Sequence, residues 1–230
     1  MKMIGLIGGM SWESSAEYYR ILNQGVRDRL GPTASARCIL WSFDFSEIER
    51  LQHVGDWPAL TERMIDAARR LEAAGAEMLV ICTNTMHRMA DSVQAAVSVP
   101  LLHIADPTAE RIKATGFHRV GLLGTAFTME QDFYKGRLAE RHGLEVLVPD
   151  EADRATVHRI IYEELVAGIV TPASREAYRA IIARLVARGA EAVILGCTEI
   201  MLLVGPADCA VPTFDTTAIH ARRAAEFAIA

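Results

Sequence analysis

Residues 76–87 read Ala-Glu-Met-Leu-Val-Ile-Cys-Thr-Asn-Thr-Met-His, an unbroken apolar run that gives way to small hydroxyl and amide side chains. Such a run predicts a strand buried on both faces, with polar groups delivered at its end. The pattern returns over residues 190–200 as Ala-Glu-Ala-Val-Ile-Leu-Gly-Cys-Thr-Glu-Ile. Its surroundings return with it. Ile4-Gly5-Leu6-Ile7-Gly8-Gly9 is copied by Val120-Gly121-Leu122-Leu123-Gly124-Thr125, and Val99-Pro100-Leu101 is answered by Val211-Pro212-Thr213. A further strand is predicted over 35–43 and its counterpart over 145–148. Apolar residues at helical spacing predict helices over 14–26, 59–74, 84–95, 159–167 and 174–188, and another opening at Asp106-Pro107. Trp57-Pro58 and Thr171-Pro172 read as helix starts and Gly168 as a stop.

The two series run in the same order at a nearly fixed offset. They predict an α/β fold of two similar parallel-sheet βα domains related by a pseudo-twofold, residues 1–98 plus 210–230 forming one and 99–209 the other. In such folds ligands lie beyond the carboxyl ends of the strands, so the chemistry is expected in a cleft between the two domains.

Composition narrows the function classes. The chain has 230 residues, 51% hydrophobic and 23% charged, with a net charge of −5 and no cluster of Lys and Arg, which argues against a nucleic-acid partner. The N-terminus enters a strand at once without a signal-peptide pattern, and no apolar stretch reaches the roughly 20 residues of a membrane helix, so a cytoplasmic protein is expected. Cys38, Cys82, Cys197 and Cys209 form no Cys-x-x-Cys pair, and the seven histidines form no paired ligand motif, so no metal is expected.

The glycines of residues 5–9 do not make a Gly-x-Gly-x-x-Gly fingerprint, and no Walker lysine follows them. Residues 44–52 read as a loop carrying polar groups at a strand end, with Gln52 a candidate ligand contact and Arg50 a surface residue. Cys197 follows Gly196 at a strand tip and precedes what looks like a first helical turn; the helix dipole there is expected to favour thiolate. Cys82 looks like its twin. Because successive strand side chains point to opposite faces, Cys82 and Thr83 cannot both face a ligand.

These residues resemble the aspartate/glutamate racemase superfamily, the cofactor-independent amino-acid racemases. The resemblance rests on the paired strand-Cys-Thr motifs, the Ile7-Gly8-Gly9-Met10-Ser11-Trp12 loop and Gly196-Cys197-Thr198-Glu199-Ile200, and spans essentially the whole chain. Gly-Cys-Thr-Glu is similar to the aspartate racemase branch. The first family motif is Cys-Asn-Thr-x-His; here Asn84-Thr85-Met86-His87 matches, with Thr83 directly before it and Cys82 one place early. The resemblance therefore sets Thr83 opposite Cys197, as in relatives that prefer L-substrates; a bulge in the strand would return the role to Cys82.

It implies racemisation of L-Asp or L-Glu by two-sided proton transfer, with no cofactor, Cys197 acting as base for the L-enantiomer and Thr83 serving the other face. Met10, Gln52, Asn84, Thr85, Thr125, Thr198 and Glu199 are the implied substrate contacts, and His87 an implied support. The implied partner is a small acidic amino acid, with no nucleic acid or membrane, in a homodimer. The relatives' basic residue for the distal carboxylate has no counterpart in Tyr162-Glu163-Glu164. Two other readings stay open: a single-cysteine decarboxylase or isomerase of small diacids, and a non-catalytic acidic amino-acid binding module.

Overall fold

The computed structural model describes residues 1–230, which divide into two compact units, 1–104 with 220–230, and 105–219. The first unit holds β1 (Ile4–Gly8), α1 (Trp12–Leu30), β2 (Cys38–Ser42), α2 (Phe45–Val54), α3 (Trp57–Ala73), β3 (Met78–Ile81), a 3-10 turn (Thr85–Met89), α4 (Ala90–Ala95) and β4 (Leu101–Leu102). The second holds α5 (Ala105–Lys113), β5 (Arg119–Gly124), α6 (Ala126–Glu130), α7 (Asp132–His142), β6 (Glu145–Leu147), α8 (Glu151–Glu163), α9 (Pro172–Ala187), β7 (Ala192–Gly196), α10 (Ile200–Leu203) and β8 (Thr213–Asp215). Helix α11 (Thr216–Ile229) closes the chain. No helix is long and apolar enough to cross a membrane.

Each unit is a four-stranded sheet, and the strand orders correspond: β2-β1-β3-β4 and β6-β5-β7-β8. All pairings are parallel, which explains the unbroken apolar runs: β1, β3 and β7 are covered on both faces and buried along their whole length. Gly5 and Gly121 mark where a helix presses on each sheet. A Cβ on Gly5 would meet Leu71 of α3 at 3.2 Å and Leu79 at 2.8 Å, and one on Gly121 would meet Leu185 of α9 at 3.1 Å. The repeated glycine thus records a repeated helix-on-sheet contact. Around these contacts lie the two cores, Leu60, Met64, Leu71, Leu79 and Ile81 in the first unit and Ile160, Ile181, Leu185, Val193 and Leu195 in the second.

Two expectations are corrected and one gap is filled. The division does not fall at 98/99 and 209/210. β4 pairs with β3 in the first sheet, and β8 pairs with β7 in the second, so the strand-forming residues beyond 98 and 209 stay with the unit they follow. Residues 44–52 are not a loop. Asp44 caps α2 by accepting the Ser46 amide at 3.0 Å, and Ile48, Leu51 and Gln52 make its buried face. Residues 126–142, for which no element was predicted, form α6 and α7, whose weakly apolar faces give little periodic signal.

Candidate active site

At the end of β1 the chain turns at Gly9 with φ of +77°, and a Cβ there would lie 2.3 Å from the Phe43 backbone, so only glycine fits. The following loop is tied down by α1. Gly9 N–H donates to Ser15 Oγ at 2.8 Å, the Ser15 hydroxyl donates to the Ser11 carbonyl at 3.0 Å, and Ser14 Oγ lies 3.2 Å from the Cys82 carbonyl. The loop after β1 is therefore fixed to the tip of β3. Met10 sits within it, buried in the first unit's core.

β3 ends at Ile81. Cys82 is fully buried, its sulfur 3.9 Å from the Val80 carbonyl, and burial pushes its thiol far above the usual range. Thr83, the next residue, is partly exposed. The two differ in exposure although both lie beyond the end of β3, and Cys82 is the one packed inside. Asn84 and Thr85 follow, buried at the start of the 3-10 turn. Gln52 reaches that turn from α2, its Nε2 donating to Met86 Sδ at 3.3 Å, while Arg50 stays exposed. Met10, Thr83, Asn84 and Thr85 thus lie beyond the carboxyl ends of the central strands β1 and β3, with Gln52 reaching the same turn from α2.

His87 lies beneath them. Its Nδ1 is 2.7 Å from the Thr83 carbonyl, and its Nε2 is 3.1 Å from the Ile104 amide nitrogen. Around it stand two buried histidines, the His103 ring at 4.6 Å and the His220 ring at 5.7 Å. His220 bridges the Leu102 carbonyl at 2.9 Å and the Tyr18 hydroxyl at 2.8 Å. His103, His220 and Tyr18 escaped the sequence reading. Tyr18 and His220 are 202 residues apart, and no local pattern joins them.

In the second sheet Gly124 and Gly196 are paired in register at the ends of β5 and β7. A Cβ on Gly124 would lie 2.8 Å from the Gly196 carbonyl, and one on Gly196 would lie 2.8 Å from the Leu123 carbonyl. The two following residues, Thr125 and Cys197, are thereby held on adjacent strand tips. Thr125 caps α6, accepting the Thr128 amide at 3.3 Å, and the next amide, Ala126 N–H, donates to His158 Nδ1 at 3.2 Å.

Cys197 is buried, and its thiol donates to Glu199 Oε2 at 3.0 Å; the Thr198 hydroxyl donates to the same oxygen at 2.6 Å. The thiolate expected from a helix dipole is not what this setting favours. Burial first, then the adjacent Glu199 charge, hold the thiol well above its usual range, and the Glu199 and Ile200 amides offset this only in part. The helix concerned is the four-residue α10, too short to supply much dipole. Thr125, Cys197, Thr198 and Glu199 thus form the second group of site residues.

A thiol hydrogen-bonded to a carboxylate at the end of a parallel strand is the equipment of an α/β enzyme that moves protons. Residues 7–224 match the Asp/Glu/Hydantoin racemase family. A Yersinia pestis protein provisionally assigned as an Asp/Glu racemase is 56% identical, with a TM-score of 0.93 over 100% of both chains. An aspartate racemase homologue from Pyrococcus horikoshii is 38% identical, with a TM-score of 0.86, again over 100% of both chains. The broad specificity amino-acid racemase RacX of Bacillus subtilis is 26% identical over 170 residues, 73% of this chain and 71% of that one. The chain belongs to the Asp/Glu/Hydantoin racemase family of isomerases.

Proposed function

We propose that the protein racemises acidic amino acids at Cα without a cofactor, with Cys197 as the base toward the L-enantiomer and Thr83 serving the opposite face. The observation that carries this reading is the Cys197–Glu199 hydrogen bond. A neutral thiol must lose its proton before it can take another, and the carboxylate at 3.0 Å is an acceptor already in place. In the proposed sequence the thiol proton passes to Glu199, the thiolate takes the α-hydrogen, and a carbanion forms. The Thr83 hydroxyl then delivers a proton to the other face and is re-protonated from water, while Glu199 releases the proton it took to solvent, so that no net proton is gained or lost. The α-hydrogen is weakly acidic, so the carbanion needs preorganised donors. Met10, Asn84, Thr85, Thr125 and Thr198 are assigned to bind the substrate carboxylates, with Gln52 as a further candidate contact.

A threonine hydroxyl is a far weaker acid than a thiol, so the two faces are unequal as bases. Enantiomers have equal free energy, so kcat/KM must be the same from either side; the asymmetry falls on kcat and KM separately. Turnover from the D-enantiomer is accordingly the slower at saturation. Four free cysteines fit the reducing cytoplasm assigned to this reaction, and the working form is taken to be a homodimer.

The test is proton NMR of L-Asp and L-Glu in D₂O with the purified protein, followed by chiral chromatography and with Cys197→Ala as control. Loss of the α-proton signal with D-product, abolished in the variant, is the expected result. No exchange with either amino acid would sink the racemase reading and direct the search to small diacids.

A further inference from the structure

The Thr83 tip is supported in a way the Cys197 tip is not. Pairing of β3 with β4 stops at Val80 opposite Leu102. Beyond that point the carbonyl of Thr83 and the amide of Ile104 are joined through one imidazole, which stands in for a ladder bond. The tautomer follows from the partners. The Ile104 N–H can only donate, so Nε2 accepts; the Thr83 carbonyl can only accept, so Nδ1 carries the hydrogen. Both contacts are satisfied only by a neutral ring protonated at Nδ1. The neighbouring His220 donates its Nε2–H to the Leu102 carbonyl, which can only accept, and its Nδ1 lies 2.8 Å from the Tyr18 hydroxyl. Two imidazoles thereby hold the end of β4 at Leu102 and the chain just beyond it at Ile104.

The second sheet differs at the same place. Four residues after Thr83 stands His87, whereas four residues after Cys197 stands Met201, and the Cys197 carbonyl accepts the Ile200 amide at 3.2 Å. The imidazole bridge is particular to the threonine side. That matches a chemical need, because a hydroxyl is a poor proton donor to carbon and gains most from being held at the right spot.

We propose that His87 is a positioning residue for Thr83: its neutral imidazole fixes the Thr83 backbone through the Nδ1–H bond and carries no proton in the reaction. This rests on the role given to Thr83 above. It differs from a general structural role in what it controls, namely delivery of the proton to one face of the substrate.

The experiment compares α-hydrogen exchange with inversion. In D₂O, L-substrate that is deprotonated and redeuterated on the Cys197 face exchanges without inverting, while Thr83 is needed for inversion. His87→Ala is expected to lower the ratio of inversion to exchange about five- to tenfold, the size of one hydrogen bond's net contribution. His87→Asn keeps a donor near the Nδ1 position and should restore the ratio; His87→Gln, whose amide reaches the Nε2 position, should not. Circular dichroism and thermal melts establish that each variant is folded, and the Asn and Gln pair carries the test if Ala does not fold. Equal loss of exchange and inversion in a folded variant would overturn the proposal, as would an Asn variant no better than Gln. ¹⁵N-histidine NMR of the intact enzyme tests the ring independently of turnover: a neutral ring protonated at Nδ1 is expected, and a cationic ring or an Nε2 proton would overturn it. Absence of exchange in the wild type would instead remove the racemase reading, leaving the NMR result to stand or fall by itself.

Discussion

Glu199 Oε2 lies 3.0 Å from the Cys197 sulfur and 2.6 Å from the Thr198 hydroxyl, so a single carboxylate oxygen accepts from both side chains that precede it. The arrangement works against thiolate at rest, since the carboxylate charge and its acceptor bond both favour the protonated thiol. It also gives that proton somewhere to go. Glu199 thus makes Cys197 less acidic and, in the mechanism proposed above, is the group that takes the thiol proton.

Glu199→Gln separates these effects. Glutamine keeps an oxygen acceptor but removes the charge, so the Cys197 thiol becomes more acidic and its alkylation by iodoacetamide at neutral pH should accelerate several-fold. Exchange of the substrate α-hydrogen should move the other way, falling about a hundredfold, the lower end for loss of a general base. Peptide-mapped mass spectrometry reads the first and NMR the second. A fall in both rates would mean that Glu199 acts on Cys197 chiefly through packing.

The pH dependence of Cys197 reactivity follows from the same pair. Its thiol is held above the usual range, so its thiolate fraction near neutrality is smaller than that of a free cysteine. Alkylation at pH 7 is expected to lag glutathione and to keep rising with pH after glutathione has levelled off. A rate that plateaus near neutral pH would contradict the direction derived from burial and Glu199.

Cys82 and Thr83 predict opposite outcomes although they are neighbours. Cys82→Ala should leave turnover of L-substrate nearly unchanged and cost about 1 kcal/mol of stability through the small cavity left behind. The raised thiol adds a pH signature. A group that is more strongly protonated in the fold contributes stability fully present below the unfolded thiol value of about 8.5 and lost as pH rises beyond it. Urea melts from pH 7 to 10 should show a shallower alkaline decline in Cys82→Ala than in the wild type. Thr83→Cys should raise kcat from the D-enantiomer, and because the equilibrium is symmetric, kcat/KM should rise equally from both sides. Loss of L-turnover in a folded Cys82→Ala protein would reverse the assignment.

Much of this architecture is legible in the chain because it is written twice. Ile4 to Gly9 and Val120 to Thr125, or Met78 to Thr83 and Ala192 to Cys197, carry the same apolar run and the same polar tip, and doubly covered parallel strands need such runs. The sheet order β2-β1-β3-β4 repeats as β6-β5-β7-β8 for the same reason. What the pattern does not carry are contacts between distant parts of one unit. Tyr18 meets His220 through the fold, and the His87 bridge to Ile104 depends on where pairing of β3 with β4 ends. The protonation preference of Cys197 was hidden too, because it turns on burial and on the direction of the Glu199 side chain, neither of which has a periodic signature. The loop expected at 44–52 was misread because Asp44 caps a helix as readily as it opens a turn.

Gly196 offers a test of how finely the thiol is placed. A Cβ at this position would lie 2.8 Å from the Leu123 carbonyl oxygen and 2.9 Å from Leu122 Cδ1. Leu122 can shift, but the carbonyl belongs to the strand paired with β7 and moves only if β5 and β7 separate. Gly196→Ala should therefore displace the tip that carries Cys197 without touching the thiol or its carboxylate partner. Since misplacement of a reacting group by about 1 Å can cost about a hundredfold in rate, exchange should fall by that order, while the thermal melt shows a cost of about 1–3 kcal/mol for the overpacked site. Iodoacetamide, which needs no aligned substrate, should still modify Cys197 at near the wild-type rate. A variant that keeps wild-type exchange would show that the close approach of β5 and β7 serves packing alone and that the thiol tolerates displacement.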